Sequence, residues 1–292
     1  MRKQFVETVS KIIEEDESAV LLLGDIGVYG FRDVLTRHPE RSYNIGILEQ
    51  STISLSAGLS MVGLTPIVHT IAPFIVERSL EQIKVDLCYQ NLGVNLVSIG
   101  GSYDYAGLGC THHCPADVSI LNEIPNMQII VPGHPKEFDQ LFSQNYNNNS
   151  PSYYRLSESS NNKSYKTEFG KNIVLQEMGD VVVIAVGPML SKVLEAIKDL
   201  NITLIYCTTV KPFDFSSIES LLNKKILIIE PYYSGPVLTN ILRENNSLIG
   251  NFTSIGVPNK FINKYGTKDD IDQMIGLDSA SIRKQIIEKI SE

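Results

Sequence analysis

Short apolar runs alternate with helix-like segments along most of the chain. Between the runs, apolar residues recur at helical spacing, as at Val76, Leu80, Ile83 and Leu87. Continuous apolar strands separated by helices are typical of parallel sheets covered on both faces, so the pattern predicts an α/β fold. The predicted strands are 19–23, 66–71, 94–99, 128–131, 152–156, 181–186, 202–206 and 226–229.

One break in composition divides this pattern. Residues 145–171 are rich in Asn, Ser, Tyr and Lys, which is typical of a connecting segment. A chain of 292 residues is long enough for two domains with separate cores. We therefore predict domains at 1–160 and 178–292, joined by a linker at 161–177.

The N-terminal segment predicts an amphipathic helix, with Phe5, Val9, Ile12 and Ile13 on one face. It carries acidic residues where a signal peptide would be uncharged, and no apolar run approaches membrane-spanning length. The net charge of -8 and the lack of Lys/Arg runs argue against a nucleic-acid surface. The expectation is a cytoplasmic protein that binds neither membrane nor nucleic acid.

Cysteine and histidine come together only in the segment Cys110-Thr-His-His-Cys114. Zinc sites generally need a second, separated ligand pair, and the chain has no other such cluster. With Cys88 and Cys207 the cysteines are also too few and too irregular for a disulfide framework. We predict no metal bound by this chain's own ligands.

Candidate site residues lie in three segments of the first half of the chain. RSYNIGILEQ places Glu49 in the first turn of a helix, where an acid can simply complement the helix dipole. Phe74 and Arg78 share the face of a helical segment opposite its apolar stripe, and adjacent histidines lie in a glycine-rich loop at 100–117. Loops at the carboxyl ends of parallel strands are where α/β proteins place ligands.

Four segments, taken in order, resemble the transketolase family over nearly the whole chain. RSYNIGILEQ resembles the N-x-G-I-x-E-Q motif of transketolases and deoxyxylulose-phosphate synthases, and HTIAPFIVERSLEQI resembles the family's cofactor-stacking segment. CTHHCPAD and the IPNM that follows resemble the family's T-H-Q and I-P-N-M segments. YCTTVKPFD resembles the S-x-x-K-P segment of its C-terminal domain.

The resemblance implies a thiamine diphosphate enzyme and assigns a role to each matching position. Glu49 would bond to N1′ of the cofactor's aminopyrimidine and should be buried, and Phe74 would stack on that ring. Arg78 and Gln82 would border the ring. His112 would face the substrate hydroxyls and stabilise a developing oxyanion.

Four further positions concern the substrate. His113 is either a second donor or a structural loop residue, and His69 either contacts substrate or fills space. Glu158 stands where transketolases carry an Arg that binds the acceptor's phosphate, and a carboxylate repels phosphate. Arg155 is a rival phosphate ligand. The substitution predicts a non-standard sugar, modified or nucleotide-linked, or another route for the phosphate.

Transketolases also have a domain with a G-D-G motif and a following Asn, which binds Mg²⁺ and the diphosphate. Gly24-Asp25-Ile26-Gly27 resembles that motif only superficially. We therefore expect a split enzyme in which an N-terminal, diphosphate-binding subunit holds most of the Mg²⁺ site. The expected assembly is an α2β2 complex containing a homodimer of this chain, with a sugar as substrate.

The sequence is compatible with three functions. The first is ketol transfer between sugars. The second is the β subunit of a 2-oxo-acid dehydrogenase, or a deoxyxylulose-phosphate-synthase-like enzyme. The third is a non-catalytic module that keeps the fold. The N-x-G-I-x-E-Q and T-H-H-C-P sequences favour ketol transfer, and the presence of Glu49 argues against the third function.

Overall fold

Two helix-covered sheets, in which most neighbouring strands are parallel, make up the computed structural model, which describes residues 1–244 and 252–291. The predicted α/β class is confirmed. The strands at 19–23 and 181–186 form as predicted, because each is a continuous apolar run buried at every position. The other predicted strands form within a few residues of their expected bounds.

The first sheet has seven strands in the order β2-β1-β3-β4-β6-β5-β10. Every neighbouring pair is parallel except β5 and β10. The carboxyl ends of strands β1 to β6 therefore lie along one edge of this sheet. The strands are β1 Ala19–Leu23, β2 Ser42–Asn44, β3 Thr65–Ile71, β4 Asn95–Ile99, β5 Gln128–Ile130, β6 Ser152–Arg155 and β10 Thr209–Lys211.

Helices cover both faces of this sheet. The N-terminal helix buries Phe5, Val9, Ile12 and Ile13, as its spacing predicts. Each of these side chains contributes roughly 1.5–3 kcal/mol by leaving water, which is enough to hold the helix on the sheet. The helices are α1 Arg2–Glu15, α2 Val28–Arg37, α3 Glu49–Met61, α4 Leu80–Gln82, α5 Asp117–Asn122 and α6 Pro135–Asn145.

The helix predicted around Val76 to Leu87 is irregular. Wide π-type turns at Pro73–Glu77 and Ile83–Cys88 flank the single α-turn of α4. The N–H of Arg78 donates to the carbonyl of Pro73 at 3.2 Å, five residues back. Such wide turns frequently occur at functional sites, because they re-aim the side chains that follow.

The second sheet has five strands in the order β12-β11-β8-β9-β7, with only β7 antiparallel to its neighbour. The strands are β7 Ile173–Gln176, β8 Val181–Val186, β9 Thr203–Cys207, β11 Lys225–Tyr233 and β12 Phe252–Val257. Its helices are α7 Leu190–Ala196, α8 Pro236–Glu244, α9 Lys268–Ile275 and α10 Ser279–Ser291. No helix in the described ranges is long and apolar enough to cross a membrane.

The strands that the apolar pattern missed are the edge strands of the two sheets, namely β2, β10, β7 and β12. Strand β7 lies inside the segment 161–177 that we expected to be a linker, and it is only partly buried. Strand β10 lies in the second half of the chain but joins the first sheet, pairing Thr209 with Ile130. Edge strands are short or have one open side, so they leave no continuous apolar run to detect.

Candidate functional site

Most of the predicted site residues follow strands of the first sheet at its carboxyl edge. Glu49 begins α3 just after β2, and Phe74 lies just after β3. His112 lies in the loop after β4, and Glu158 follows β6. Because carboxyl ends of parallel strands share one edge, residues far apart in sequence are brought to the same side of the sheet.

Glu49 is the buried acid of this edge. Its side chain is 4% exposed, and its Oε1 accepts a hydrogen bond from Nη1 of Arg78 at 2.7 Å. Arg78 remains open, with its side chain 38% exposed. The expected burial of Glu49 is confirmed. Its carboxylate lies at the N-terminus of a 13-residue helix, where the backbone dipole also favours negative charge.

Phe74 is half-buried and lies between two other site residues. The guanidinium carbon of Arg78 lies 4.3 Å from the ring centroid of Phe74. The ring of His112 meets the Phe74 ring edge-on, with centroids 5.4 Å apart and planes at 70°. Glu49, Arg78, Phe74 and His112 therefore form one connected cluster, assembled from the ends of three strands.

The contacts of Arg78 are of the kind that an aminopyrimidine ring would make with Phe74 and Glu49. The guanidinium is flat, stacks on Phe74 and at the same time donates an N–H to Glu49. An aminopyrimidine protonated at N1′ has the same two properties, a flat π face and an N–H donor in its plane. Gln82 is half-buried in α4, one turn after Arg78.

The loop that carries His112 is closed at its base. Ser102 and Cys114 form an antiparallel bridge, with N–H···O distances of 3.1 and 2.7 Å. Within the loop, Nδ1 of His112 lies 3.0 Å from Oγ1 of Thr111, and Tyr105 approaches the His112 ring edge-on at 6.4 Å. His112 is half-buried.

His113 is 8% exposed. Burial lowers its pKa, although hydrogen bonds to the backbone of Tyr105 and Ala106 act in the opposite direction. Nε2 of His113 is buried without a hydrogen-bond partner within the described part of the chain. His113 was predicted to be either a second donor to the substrate or a structural loop residue. Its burial and its lowered pKa favour the structural role.

His69 is fully buried in β3. Its Nδ1 lies 2.8 Å from the carbonyl oxygen of Val97, and its ring packs against Phe5 at 4.4 Å. Burial lowers the pKa of His69 to about 4, so the ring is neutral near neutral pH. Of its two proposed roles, substrate contact is wrong for this arrangement, because alternation along β3 turns the side chain under α1.

Arg155 is also buried, and its contacts argue against the prediction that it binds phosphate. Its side chain is 1% exposed, and Nε donates to Oδ2 of Asp117 at 2.7 Å. Nη2 donates to Oγ of Ser102 at 2.6 Å, and the Tyr153 hydroxyl also donates to Asp117 at 2.8 Å. The guanidinium therefore neutralises a buried carboxylate and supports the base of the His112 loop.

Glu158 is exposed at the end of β6. Its N–H donates to Oδ2 of Asp104 at 2.9 Å, which ties this strand end to the His112 loop. Burial and then the charge of Glu158 raise the pKa of Tyr105. Asp104 and Tyr105 were not singled out in the sequence, where the available signal was a polar segment directly after a buried strand.

The cysteine–histidine segment does not gather metal ligands. Cys110 is exposed and Cys114 is buried, with its Sγ 3.5 Å from Oε1 of Glu77. Burial raises the pKa of the Cys114 thiol well above its usual value, which disfavours the thiolate. In residues 1–244 and 252–291, no group of three or more His, Cys, Asp or Glu side chains could hold a metal ion.

Two family profiles match the chain one after the other. The profile described as "Transketolase, pyrimidine binding domain" matches residues 1–163. The profile described as "Transketolase, C-terminal domain" matches residues 170–282.

Curated relatives include proteins of similar length and longer ones. The chain is 35% identical over 290 residues to an "Uncharacterized 33.6 kDa protein in fasciation locus" of Rhodococcoides fascians, covering 97% of this chain and 92% of the relative. It is 27% identical to one subunit of an apulose-4-phosphate transketolase of Phocaeicola vulgatus, covering 100% of this chain and 97% of the relative. It is 29% identical to "1-deoxy-D-xylulose-5-phosphate synthase" of Clostridium tetani, covering 98% of this chain but 48% of the relative.

Solved structures share the fold. A structure titled "Split gene transketolase, inactive beta4 tetramer" superposes with a TM-score of 0.85 at 23% identity, covering 98% of this chain and 96% of the other. Transketolase from Campylobacter jejuni superposes with a TM-score of 0.82 at 15% identity, covering 98% of this chain and 46% of the other. The two profiles show that the chain belongs to the transketolase family and carries its pyrimidine-binding and C-terminal domains.

Proposed function

We propose that this chain is the pyrimidine-binding subunit of a two-chain, thiamine diphosphate-dependent transketolase that transfers a ketol unit between sugars. The observation that carries the proposal is the cluster of Glu49, Arg78, Phe74 and His112 at one sheet edge. A relative of nearly equal length, itself named as one subunit of a transketolase, supports the two-chain arrangement.

In this function thiamine diphosphate supplies the nucleophilic carbon that carries the ketol unit. Glu49 shares a proton with the pyrimidine's N1′, and its burial strengthens that hydrogen bond. Phe74 offers its ring face to the pyrimidine, a contact worth about 0.5–1.5 kcal/mol beyond the buried area. His112 donates a hydrogen bond to the sugar oxygen on which negative charge develops.

The proposed partner is an N-terminal subunit that holds the diphosphate and most of the Mg²⁺ site. Apolar side chains beside Glu49 support a covering partner, since Ile47 is 66% and Leu48 is 55% exposed. Contiguous exposed apolar residues mark interaction surfaces. We propose an α2β2 complex that contains a homodimer of this chain.

A second candidate function is synthesis of a deoxyxylulose-phosphate-like product, because relatives named "1-deoxy-D-xylulose-5-phosphate synthase" match 98% and 88% of this chain. A 2-oxo-acid dehydrogenase β subunit is a third. The acceptor discriminates among them: an aldose for ketol transfer, an aldehyde with pyruvate as donor for the synthase, and a lipoyl carrier for the dehydrogenase. The intact cluster around Glu49 argues against a non-catalytic module.

The decisive experiment uses the complex reconstituted with a diphosphate-binding subunit. Glu49→Gln should lower deuterium exchange at C2 of bound thiamine diphosphate by about 10²–10⁴-fold, because the carboxyl no longer shares its proton with N1′. Glu81→Gln is the matched control, an exposed acid of α4. Near-normal exchange in Glu49→Gln would show that Glu49 has a different role.

A binding experiment tests the two-chain arrangement. The isolated chain should bind thiamine diphosphate weakly, since the diphosphate and Mg²⁺ supply most of the anchoring charge. Titration calorimetry with and without Mg²⁺ measures this. Tight, Mg²⁺-dependent binding at submicromolar level, about -8 kcal/mol or better, would contradict the proposed division between subunits.

A further inference from the structure

The loop that carries His112 is held by the C-terminal domain as well as by its own base. The Ser102 hydroxyl donates to the carbonyl oxygen of Pro231 in β11. At the other end of the loop, the N–H of Tyr233 donates to the carbonyl oxygen of Pro115 at 2.9 Å. Both ends of the loop are therefore anchored to one strand of the second sheet.

A third contact holds the loop next to its base. The hydroxyl of Tyr103, which is 2% exposed, donates to Oδ1 of Asp272 in α9 at 2.5 Å. Lys192 binds the other oxygen of Asp272 at 2.5 Å, and Lys268 lies 3.5 Å from the first. Nζ of Lys268 also lies 4.6 Å from the centroid of the Tyr103 ring.

Asp272 is buried and paired on both carboxylate oxygens, so its position is fixed. Its side chain is 4% exposed, and two lysines compensate its charge, so the carboxylate has three partners. Buried charge networks with satisfied partners are rigid, because each member loses its hydrogen bonds if it moves. Such an anchor restricts the first residue after the bridge at Ser102, and through it the backbone that leads to His112.

A fourth contact covers the middle of the loop. The ring of Tyr265 lies so close to Gly109 that a β-carbon built on Gly109 would be 2.9 Å from it. Gly109 has φ +74°, a conformation that L side chains rarely adopt. Gly109 directly precedes the short helical turn Cys110–His112, so this contact is close in sequence to the histidine.

We propose that Asp272 and Tyr103 form a positioning pair through which the C-terminal domain sets the orientation of His112 toward the substrate. Neither residue is assigned a chemical step. The inference rests on the proposed function for its effect on turnover, whereas the placement of the His112 ring is a property of the chain itself. The C-terminal domain thereby contributes to the site without supplying a residue to it.

The test compares Tyr103→Phe with the unmodified chain by two readouts. The first is the ¹³Cε1–¹H signal of His112 in histidine-labelled chain, which has five histidines and is assigned with His112→Gln. Tyr103→Phe keeps the buried ring and removes only the hydroxyl, so the His112 signal should shift or broaden while the His38 and His134 signals stay. The second readout is turnover in the reconstituted complex.

In that complex, Tyr103→Phe should lower kcat/KM for the sugar acceptor by about tenfold, since small misplacements of a catalytic group are costly. Deuterium exchange at C2, which depends on Glu49, should stay within about twofold of normal. Asp272→Ala, which also removes the two lysine contacts, should lower kcat/KM at least as much as Tyr103→Phe does. Adding Tyr103→Phe to Asp272→Ala should have no further effect, because the Tyr103 hydroxyl has already lost its partner. A destabilised fold would lower exchange and turnover together.

Glu123→Gln is the matched control. Its ion pair with Arg243, at 2.7 Å, also joins the two domains, but Glu123 lies after α5 and outside the loop. An unchanged His112 signal and unchanged kcat/KM in Tyr103→Phe would overturn the proposal. If the unmodified complex transfers no ketol unit, the proposed function fails, and the His112 signal alone decides the positioning role.

Discussion

Arg78 and Glu49 form an ion pair of 2.7 Å in which the cation is open to solvent and the carboxylate is nearly closed off, at 38% and 4% exposure. The pair joins the π-type turn after β3 to the N-terminus of α3. Because the buried member needs a counter-charge, the two residues should contribute unequally to stability.

The first prediction concerns this inequality. Arg78→Met should destabilise the isolated chain by about 1–2 kcal/mol, because it leaves the Glu49 carboxylate buried and unpaired. In the Glu49→Gln background the same change should cost clearly less. Urea unfolding of the two single variants and the double variant gives the coupling energy. Lys84→Met, an exposed cation nearby, is the control. Equal losses in both backgrounds would mean that the pair is not coupled.

The second prediction separates a structural from a ligand role for Arg155. Arg155→Met should destabilise the chain by about 3–5 kcal/mol, since it leaves Asp117 buried without its cation. Arg37→Met, which breaks an exposed pair with Glu14, should cost less than about 1 kcal/mol. Chemical denaturation measures both. A variant of normal stability with a raised KM for a phosphorylated sugar would instead indicate that Arg155 binds phosphate.

The third prediction follows from the burial of His69. Its pKa is about 4 in the folded chain, against 6.5 when it is exposed, so unfolding binds a proton between those pH values. Its contribution to stability is fully present above pH 6.5 and is lost as pH falls toward 4, by about 3 kcal/mol in total.

The measurement for His69 is the free energy of unfolding from pH 7 to pH 4 in the unmodified chain and in His69→Leu. Other titrating groups contribute equally to both proteins, so the difference isolates His69. The slope over this interval should be shallower in the variant. Parallel pH profiles would show that His69 is protonated, or exposed, in the folded state.

The fourth prediction concerns substrate choice. If Glu158 faces the acceptor, its charge should disfavour simple aldose phosphates such as ribose 5-phosphate, and more so at low salt. Glu158→Arg should raise kcat/KM for such an acceptor by about tenfold or more through a charge-assisted pair. Glu158→Gln, which only removes the charge, should give a smaller gain. The bond from its N–H to Asp104 is retained in both variants.

The assay for Glu158 uses the reconstituted complex with ribose 5-phosphate and an unphosphorylated pentose at low and high ionic strength. A preference of the unmodified complex for ribose 5-phosphate at every salt concentration would refute the argument from charge.

The α/β class and the principal strands were predictable because buried parallel strands are continuous apolar runs, as at Ala19–Leu23 and Val181–Val186. Glu49 and Phe74 were identified as candidates for a different reason. Both lie in segments that resemble motifs of the transketolase family, so the resemblance identified them although the pattern missed the short strand β2 that precedes Glu49.

Only the tertiary structure decided which polar side chains of that sheet are buried and which remain open at its carboxyl edge. His69 and Arg155 belong to strands of the same sheet, yet helix α1 covers the first and Asp117 neutralises the second. The anchoring of Tyr103 by Asp272 joins residues 169 positions apart, and no local pattern records it. A side chain's environment is set by the elements that pack against it, so it depends on contacts that are distant in sequence.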